Sequence, residues 1–304
     1  MERSDYITYK IKRHGKIREI MEPKPELKAM QKKILRWLCE RGIGASKYAH
    51  GFVKGRSILT AVKPHINKNV VLAVDIHDFF GSIDSRMLRF ALEQEKISSD
   101  IIGQIINNCA VYNYGKEMLP QGAPTSPFLA NVVAKKMDYM LAKFIKNWMV
   151  KNSESWRGKK NRNFSVIYTR YADDLLFSSA FRKINHMLPG IEYVLYRCGF
   201  CLNPNKTRYL RKSNRQLALG LIINKKMNVP REYWRNLRAE LHQLEIEAFK
   251  GKEIEPDKLI KLAGKIAFIK SVNKSRGQEF ALKLENIRRI NELSGRHFGL
   301  VRDG

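Results

Sequence analysis

Two adjacent carboxylates interrupt a strand-like apolar run in the second half of the chain. Asp173 and Asp174 follow the mostly β-branched and aromatic residues 166–172 and precede the aliphatic and aromatic residues 175–178. This pattern predicts a β-hairpin with the two acids at its tip. Adjacent like charges repel, and a carboxylate buried without a partner is strongly destabilising. The pair therefore indicates a functional site, at which a divalent cation would remove the electrostatic cost.

A second apolar strand also carries a carboxylate. Residues 70–76 read VVLAVDI, a continuous run typical of a buried central strand, and Asp75 lies near its end. Alone, Asp75 could simply cap a strand. If the two strands are neighbours in one antiparallel sheet, however, three carboxylates meet at one edge, where Mg²⁺ finds the oxygen ligands it prefers. Two such ions could activate a 3′-hydroxyl and neutralise a leaving pyrophosphate.

The charge of the chain points to a polyanionic partner. Its 57 Lys and Arg against 29 Asp and Glu give a formal net charge of +28, which favours nucleic acid first and an anionic membrane second. The surplus is concentrated in segments 1–36, 151–163 and 205–240. One such cluster could be a solvated face, but three of them fit a groove for a long ligand.

The chain shows no sign of a membrane segment. No apolar stretch approaches the roughly 18 to 20 residues that span a bilayer, and the first residues lack the apolar region of a signal peptide. We therefore expect a cytoplasmic protein without membrane contact. Its length allows two or three subdomains. The Cys-x-x-Cys of Cys198 and Cys201 lacks two further ligands nearby, so we expect thiols and not a zinc site.

The rest of the pattern is mostly helical. The helix near the N-terminus should bury Leu27, Met30, Ile34, Leu35 and Leu38. The first predicted element is a basic hairpin over 6–21 that turns at His14–Gly15, and helices follow over 26–41, 84–95 and 99–111. A long helix then starts at Thr125 or Ser126 and leads to a mobile basic loop over 151–163. The remaining elements are a helix over 184–198, a strand pair within 207–224, and helices from 231 onward.

Four segments resemble the successive palm motifs of reverse transcriptases. They are VDIHDFFGSI at 74–83, LPQGAPTSPFLAN at 119–131, YTRYADD at 168–174 and LNPNKT at 202–207. The resemblance is closest to bacterial retron reverse transcriptases and runs from about residue 16 to 268. It implies an α+β right-hand polymerase with fingers over 1–72, a palm with an antiparallel sheet over 73–226, a fingers-side helical insert over about 92–118, and a helical thumb over 227–304.

The resemblance assigns the metal and sugar contacts. Asp75 and Asp173 would bind both of two Mg²⁺ ions, Asp174 would assist, and the Ile76 carbonyl would complete a site. Phe80 matches the bulky residue that stacks under the incoming sugar and excludes a 2′-hydroxyl, which favours DNA synthesis over RNA synthesis. The neighbouring Phe79 is the better candidate for an ordinary core position.

Other matched positions would hold the incoming nucleotide and the primer. Lys16 and Arg18 match cations that grip the triphosphate. Gln121 and Gly122 match the loop over the nascent base pair, where glycine permits close backbone approach. Lys206 matches a lysine that protonates pyrophosphate, although it could instead contact a phosphate in the groove. Primer and template contacts are implied at Tyr171, Leu219, Gly220 and Leu221.

The resemblance therefore implies an enzyme that uses dNTPs to copy a structured noncoding RNA into DNA. A retron enzyme would make a branched RNA-DNA product, msDNA, for antiphage defence. Its partners would be that RNA, the RNA-DNA hybrid and an effector toxin. The alternatives are another bacterial defence or group II intron-like reverse transcriptase, and an RNA- or msDNA-binding scaffold that restrains a toxic effector. An RNA-dependent RNA polymerase is disfavoured by Phe80, and a membrane-surface protein would leave the carboxylates unexplained.

Overall fold

The computed structural model describes residues 3–13, 16–113, 115–153, 165–180 and 184–299. Within these ranges it leaves out the side chains of Arg3, Arg13, Lys16, Ser153 and residues 292–299. The predicted turn at His14–Gly15 and residues 154–163 of the predicted basic loop lie outside the described residues. The chain divides into two compact units, Met1–Leu219 and Gly220–Gly304.

An antiparallel sheet forms the centre of the first unit. Its middle strand is β3 (Val70–His77), and β7 (Asp174–Ser179) lies along one edge of β3 with β6 (Val166–Tyr171) beyond it. The other edge of β3 pairs with β8 (Cys201–Leu202) and β9 (Arg208–Arg211). The predicted central strand and the predicted acidic hairpin, formed by β6 and β7, are both confirmed.

Strands form within residues 207–224, as predicted, but the partner of the first one was not predicted. Arg208–Arg211 pairs with Val70–Ala73 of β3 and joins the central sheet. Because β7 covers one edge of β3, the backbone groups on the opposite edge need partners of their own, and β9 supplies them. The two-residue strands β10 (Leu217–Ala218) and β11 (Leu221–Ile222) lie on either side of the boundary between the units.

Helices supply the rest of the first unit's core. They are α3 (Ser85–Gln94), α4 (Ser99–Cys109), α5 (Ser126–Ser153) and α6 (Leu188–Arg197), the last preceded by a 3-10 turn at Ile184–Met187. Asp84 caps α3, since its carboxylate accepts a hydrogen bond of 2.9 Å from the Met87 amide. Leu129, Met137 and Leu141 of α5 are fully buried in the core.

Two helix ends differ from the expectation. α4 stops at Cys109 because Val111–Asn113 forms β4, which pairs with β5 (Lys116–Met118). α5 continues to Ser153, so the start of the predicted basic loop is helical. The short helix α2 (Ile58–Val62), which begins in a capping box of Ser57 and Thr60, was not predicted.

The N-terminal segment forms the predicted hairpin and helix. β1 (Tyr6–Arg13) pairs antiparallel with β2 (Lys16–Pro23), and α1 spans Pro25–Glu40. The predicted buried face of α1 was wrong at Met30, which is 46% exposed, while Gln31 is buried in its place. Gln31 tolerates burial because its amide nitrogen donates a hydrogen bond to the Asn108 carbonyl at 2.8 Å.

The second unit contains three helices among the described residues, as predicted. They are α7 (Arg231–Phe249), α8 (Pro256–Val272) and α9 (Lys274–Gly299). Each contributes buried apolar side chains, which include Leu241, Ile266 and Phe280. None of the helices in the described part of the chain is both long enough and apolar enough to cross a membrane.

Candidate active site

Strand register brings the predicted carboxylates together at one end of the sheet. Asp75 of β3 lies directly opposite Asp174 of β7, and Tyr171 of β6 lies opposite Asp174 on its other side. Asp173 occupies the turn of the hairpin, where its carbonyl accepts a hydrogen bond of 3.0 Å from the Ile76 amide. Asp75 is only 4% exposed. Two of the acids thus lie on neighbouring strands and the third in the adjoining turn, as the predicted strand and hairpin imply.

Asp75 already has two polar partners. Lys206 donates to one carboxylate oxygen from 2.6 Å, and the Asn203 amide donates to the other from 3.0 Å. The Asn203 backbone also donates to the Asp75 carbonyl at 2.8 Å, which fixes the segment after β8 against the end of β3. Lys206 therefore lies at the carboxylate cluster, and its contact with pyrophosphate stays a prediction. Asn203 belongs to the LNPNKT motif, but no role was predicted for it.

Burial and mutual repulsion raise the pKa of both hairpin acids. Burial, with further contributions from the charges of Asp173 and Asp75, raises the pKa of Asp174 to about 7. Burial also raises the pKa of Asp173, with a further contribution from Asp75, while a backbone hydrogen bond, Lys206 and Arg18 oppose it. A cation in contact with these two acids would stabilise their ionised form.

The donor set has the chemistry that Mg²⁺ requires, because carboxylate oxygens are hard ligands. Within the described residues, no three His, Cys, Asp or Glu side chains already converge on one point as a metal centre. In this conformation the Asp75 carboxylate is occupied by Lys206 and Asn203. Coordination of one ion by all three acids would require their side chains to move closer together, and each Asp75 oxygen keeps a second lone pair for such an ion.

A buried ion pair supports the acidic hairpin from behind. Arg170 of β6 binds both carboxylate oxygens of Asp138 in α5 at 2.8 Å, and both side chains are fully buried. Asp138 also accepts hydrogen bonds from the hydroxyls of Tyr168, at 2.7 Å, and Ser46, at 2.5 Å. Burial raises the pKa of Tyr168, and the Asp138 charge adds to the increase. Both hydroxyls and the guanidinium therefore depend on one carboxylate.

The same guanidinium reaches the turn that carries Asp173. Arg170 donates to the Ala172 carbonyl at 3.3 Å and to the Asn131 side-chain oxygen at 2.9 Å. Ala172 has a positive φ of 54°, an unfavourable conformation for a residue with a Cβ. No role was predicted for Arg170, Asn131 or Asp138 from the sequence. The sequence could have indicated their ion pair in one way only: Arg170 is a charged residue in an apolar strand, and Asp138 is a charged residue on the apolar face of α5.

His65 holds both strands of the hairpin at once. Its ring is fully buried, with Nδ1 at 2.6 Å from the Ser178 hydroxyl in β7 and Nε2 at 2.8 Å from the Thr169 hydroxyl in β6. The Thr169 hydroxyl donates to the Ala61 carbonyl at 3.0 Å, so Nε2 carries the proton that Thr169 accepts. Burial, with a smaller contribution from the charges of His50 and Lys68, lowers the pKa of His65 to about 3.

Phe80, the predicted sugar contact, lies at the edge of the core. It is half-buried and packs edge-on against Phe79, at 5.5 Å between ring centroids. Phe79 is only 4% exposed and belongs to the core. The core position predicted for Phe79 is thus consistent with its burial. The sugar contact of Phe80 stays a prediction.

The predicted glycine loop packs against the N-terminal hairpin. Gly122 has φ of 122°, and a Cβ added there would lie 2.8 Å from the Ile20 side chain and from the Met21 carbonyl. The Gln121 carbonyl accepts a hydrogen bond of 2.7 Å from the Met21 amide. The close approach that requires glycine is therefore made to β2 of the protein itself.

The remaining predicted residues fall in different places. Arg18 is exposed on β2 and acts electrostatically on Asp173, whereas the side chain of Lys16 lies outside the described residues. Leu219 ends the first unit, and Gly220 and Leu221 begin the second. Leu219 and Gly220 have positive φ values of 48° and 79°, which form a tight turn. The nucleotide and primer contacts of all these residues stay predictions.

Comparison with known proteins agrees with the motifs. Residues 10–223 match the reverse transcriptase (RNA-dependent DNA polymerase) family. The Mx162 retron reverse transcriptase of Myxococcus xanthus is 34% identical over 93% of this chain and 61% of its own length. The Mx65 enzyme of the same organism is 32% identical over 91% of this chain and 63% of its own length. The chain therefore spans less than two thirds of these two relatives.

A third relative is matched over more of its length. The Ec86 retron reverse transcriptase of Escherichia coli is 30% identical over 88% of this chain and 77% of its own length. Among solved structures, telomerase from Candida albicans aligns at 11% identity and a TM-score of 0.47, over 95% of this chain and 60% of that one. A structural likeness at that level is too weak to carry an argument. On its motifs, its antiparallel sheet and its curated relatives, the chain belongs to the reverse transcriptase family and is of the retron type.

Proposed function

We propose that this chain is an RNA-directed DNA polymerase that extends a primer by nucleotidyl transfer at Asp75, Asp173 and Asp174. The observation that carries the proposal is the register of β3 and β7, which sets Asp75 opposite Asp174 next to the turn of Asp173. Family membership of residues 10–223 supports the same activity. The net charge of +28 suits a nucleic-acid substrate.

In this proposal the residues of the cluster divide the work. The primer 3′-hydroxyl attacks the α-phosphate of a dNTP, and pyrophosphate leaves. Asp75, Asp173 and Asp174 would hold divalent ions, which reverse transcriptases as a family use. Two Mg²⁺ ions bound there would favour ionisation of the 3′-hydroxyl and offset the charge of the pyrophosphate. Lys206, once it leaves Asp75, can contact or protonate the pyrophosphate.

The nucleotide is held by residues around this cluster. Arg18, with Lys16, would bind the triphosphate as a cation on β2. Phe80 would contact the sugar and exclude a 2′-hydroxyl. Gln121 and Gly122, fixed to β2 through Met21, would cover the nascent base pair. Tyr171 would contact the primer terminus from β6, and Leu219, Gly220 and Leu221 would grip the primer.

A primer-extension assay with a matched control tests the proposal. The wild-type chain should add dNTPs to a primer on an RNA template, and Asp173→Asn should abolish addition. Asp100→Asn is the control, because Asp100 is an exposed carboxylate in the first turn of α4. Equal addition by wild-type and Asp173→Asn would contradict the proposal, and so would equal losses in the two variants.

We further propose that the template is a structured noncoding RNA and that the product is msDNA used in antiphage defence. The support is the retron type of the chain and of its curated relatives. The protein would act in the cytoplasm, with the RNA-DNA hybrid and an effector toxin as partners. Nucleic acid purified with the protein should contain RNA and DNA joined by a 2′,5′ branch. An unbranched product would favour another class of reverse transcriptase.

A further inference from the structure

An exposed aromatic side chain lies in the loop between α1 and α2. Phe52 is 53% exposed, and its φ of 58° is in the left-handed region, where a bulky residue is rare. An exposed ring adds little to the folding core, and the backbone conformation is unfavourable. Residues with both properties occur where structure serves a ligand and not stability alone.

This loop is fixed to the acidic hairpin by backbone contacts. The Arg170 amide donates to the Tyr48 carbonyl at 2.8 Å, and the His50 amide donates to the Arg170 carbonyl at 2.7 Å. Asn131 donates to the Gly51 carbonyl at 2.9 Å. A Cβ at Gly51 would lie 2.6 Å from the Ala172 amide nitrogen, so the loop touches the turn itself.

The ring of Phe52 contacts the predicted sugar-sensing ring. Its centroid lies 6.2 Å from that of Phe80, at an interplanar angle of 60°. On its inner side Phe80 packs against Phe79, which in turn packs against the buried Phe200 at 5.5 Å. Phe80 is therefore held from the core by Phe79 and from the surface side by Phe52.

We propose that Phe52 is a specificity-determining positioning residue, which keeps Phe80 in the orientation that excludes a ribose 2′-hydroxyl. The inference rests on the proposed polymerase function and on the sugar contact of Phe80. Without the outer ring, Phe80 can rotate away from the sugar, because nothing else among its described aromatic contacts restrains it on that side. The space next to the sugar then becomes large enough for a 2′-hydroxyl, and ribonucleotides can be incorporated.

The test compares the ratio of kcat/KM for dNTP to that for rNTP in primer extension. Phe52→Ala should lower this ratio about two- to tenfold, the range that an edge-to-face ring pair can contribute. Phe52→Tyr keeps the ring and should retain the wild-type ratio. Phe90→Ala is the matched control, because Phe90 is similarly exposed, at 43%, but lies on α3. The ratio does not depend on the fraction of active protein.

A double variant separates support of Phe80 from direct substrate contact. If Phe52 acts through Phe80, adding Phe52→Ala to Phe80→Ala should change the ratio no further. An unchanged ratio in Phe52→Ala, or additive effects in the double variant, would overturn the inference while leaving the polymerase intact. Absence of dNTP addition by the wild-type chain would instead remove the proposed function.

Discussion

Substitution of Asp138 by Asn should destabilise the first unit by about 3–5 kcal/mol. Asp138 and Arg170 are both fully buried and joined by two bonds of 2.8 Å. Asn has the same size but no charge, and its NH₂ group would face the guanidinium. Removing one partner of a buried ion pair leaves the other charge uncompensated, which costs about 3–5 kcal/mol. That is a large share of the roughly 5–15 kcal/mol that stabilises a typical domain.

Urea unfolding followed by far-UV circular dichroism measures the effect. With a slope near 2–3 kcal/mol per molar urea, the midpoint should fall by about 1–2.5 M. Glu22→Gln is the control, because Glu22 pairs with Lys28 at 2.6 Å with both side chains well exposed, and such pairs contribute about 1 kcal/mol or less. The double variant Asp138→Asn/Arg170→Met should regain part of the loss, since it leaves no buried charge and keeps a side-chain oxygen for the Tyr168 and Ser46 hydroxyls. A loss within about 1 kcal/mol in Asp138→Asn, or a larger loss in the double variant than in Asp138→Asn, would refute the reasoning.

Three further predictions concern the hairpin and the residues around it. Phe80→Ala should admit ribonucleotides in primer extension, and unchanged sugar discrimination would count against its role. Gly122→Ala should weaken the contact with β2 and raise the KM for dNTP, since its Cβ would lie 2.8 Å from Ile20 and Met21 at φ of 122°; Gly44→Ala, with open space around it, should match wild type. His65 has a folded pKa of about 3, below the unfolded value near 6.5, so the unfolded state binds more protons and stability falls as pH drops below about 6.5. Between pH 7.5 and 5 wild type should lose about 2 kcal/mol relative to His65→Gln in urea unfolding, and parallel pH dependence of the two would show that His65 does not titrate in this way.

The carboxylate cluster was predictable because its determinants are local. Asp75 lies near the end of an uninterrupted apolar run, and Asp173 and Asp174 interrupt another. The sequence of each run therefore predicts a buried strand and identifies the acids on it. The pairing of the two runs in one antiparallel sheet was a hypothesis, and the register of β3 and β7 confirms it. Lys206 was identified as a site residue from the LNPNKT motif, and in the structure it forms an ion pair with Asp75.

The parts that were missed depend on contacts far apart in the chain. Arg170 and Asp138 are charged residues in apolar elements, but the sequence does not show that they face each other. The sequence does not show that β9 pairs with the open edge of β3. Gln31 replaces Met30 in the core of α1 because a carbonyl from α4 meets its amide. In each case a distant partner, and not local pattern, decides the outcome.

The dependence of single-nucleotide addition on Mg²⁺ tests the central claim most directly. The claim is that Asp75, Asp173 and Asp174 form a cation-dependent nucleotidyl-transfer site at the end of the sheet. On a primed RNA template, addition of one dNTP should rise with Mg²⁺, stop when EDTA removes the metal, and return when Mg²⁺ is restored. Addition that persists in excess EDTA would contradict the account.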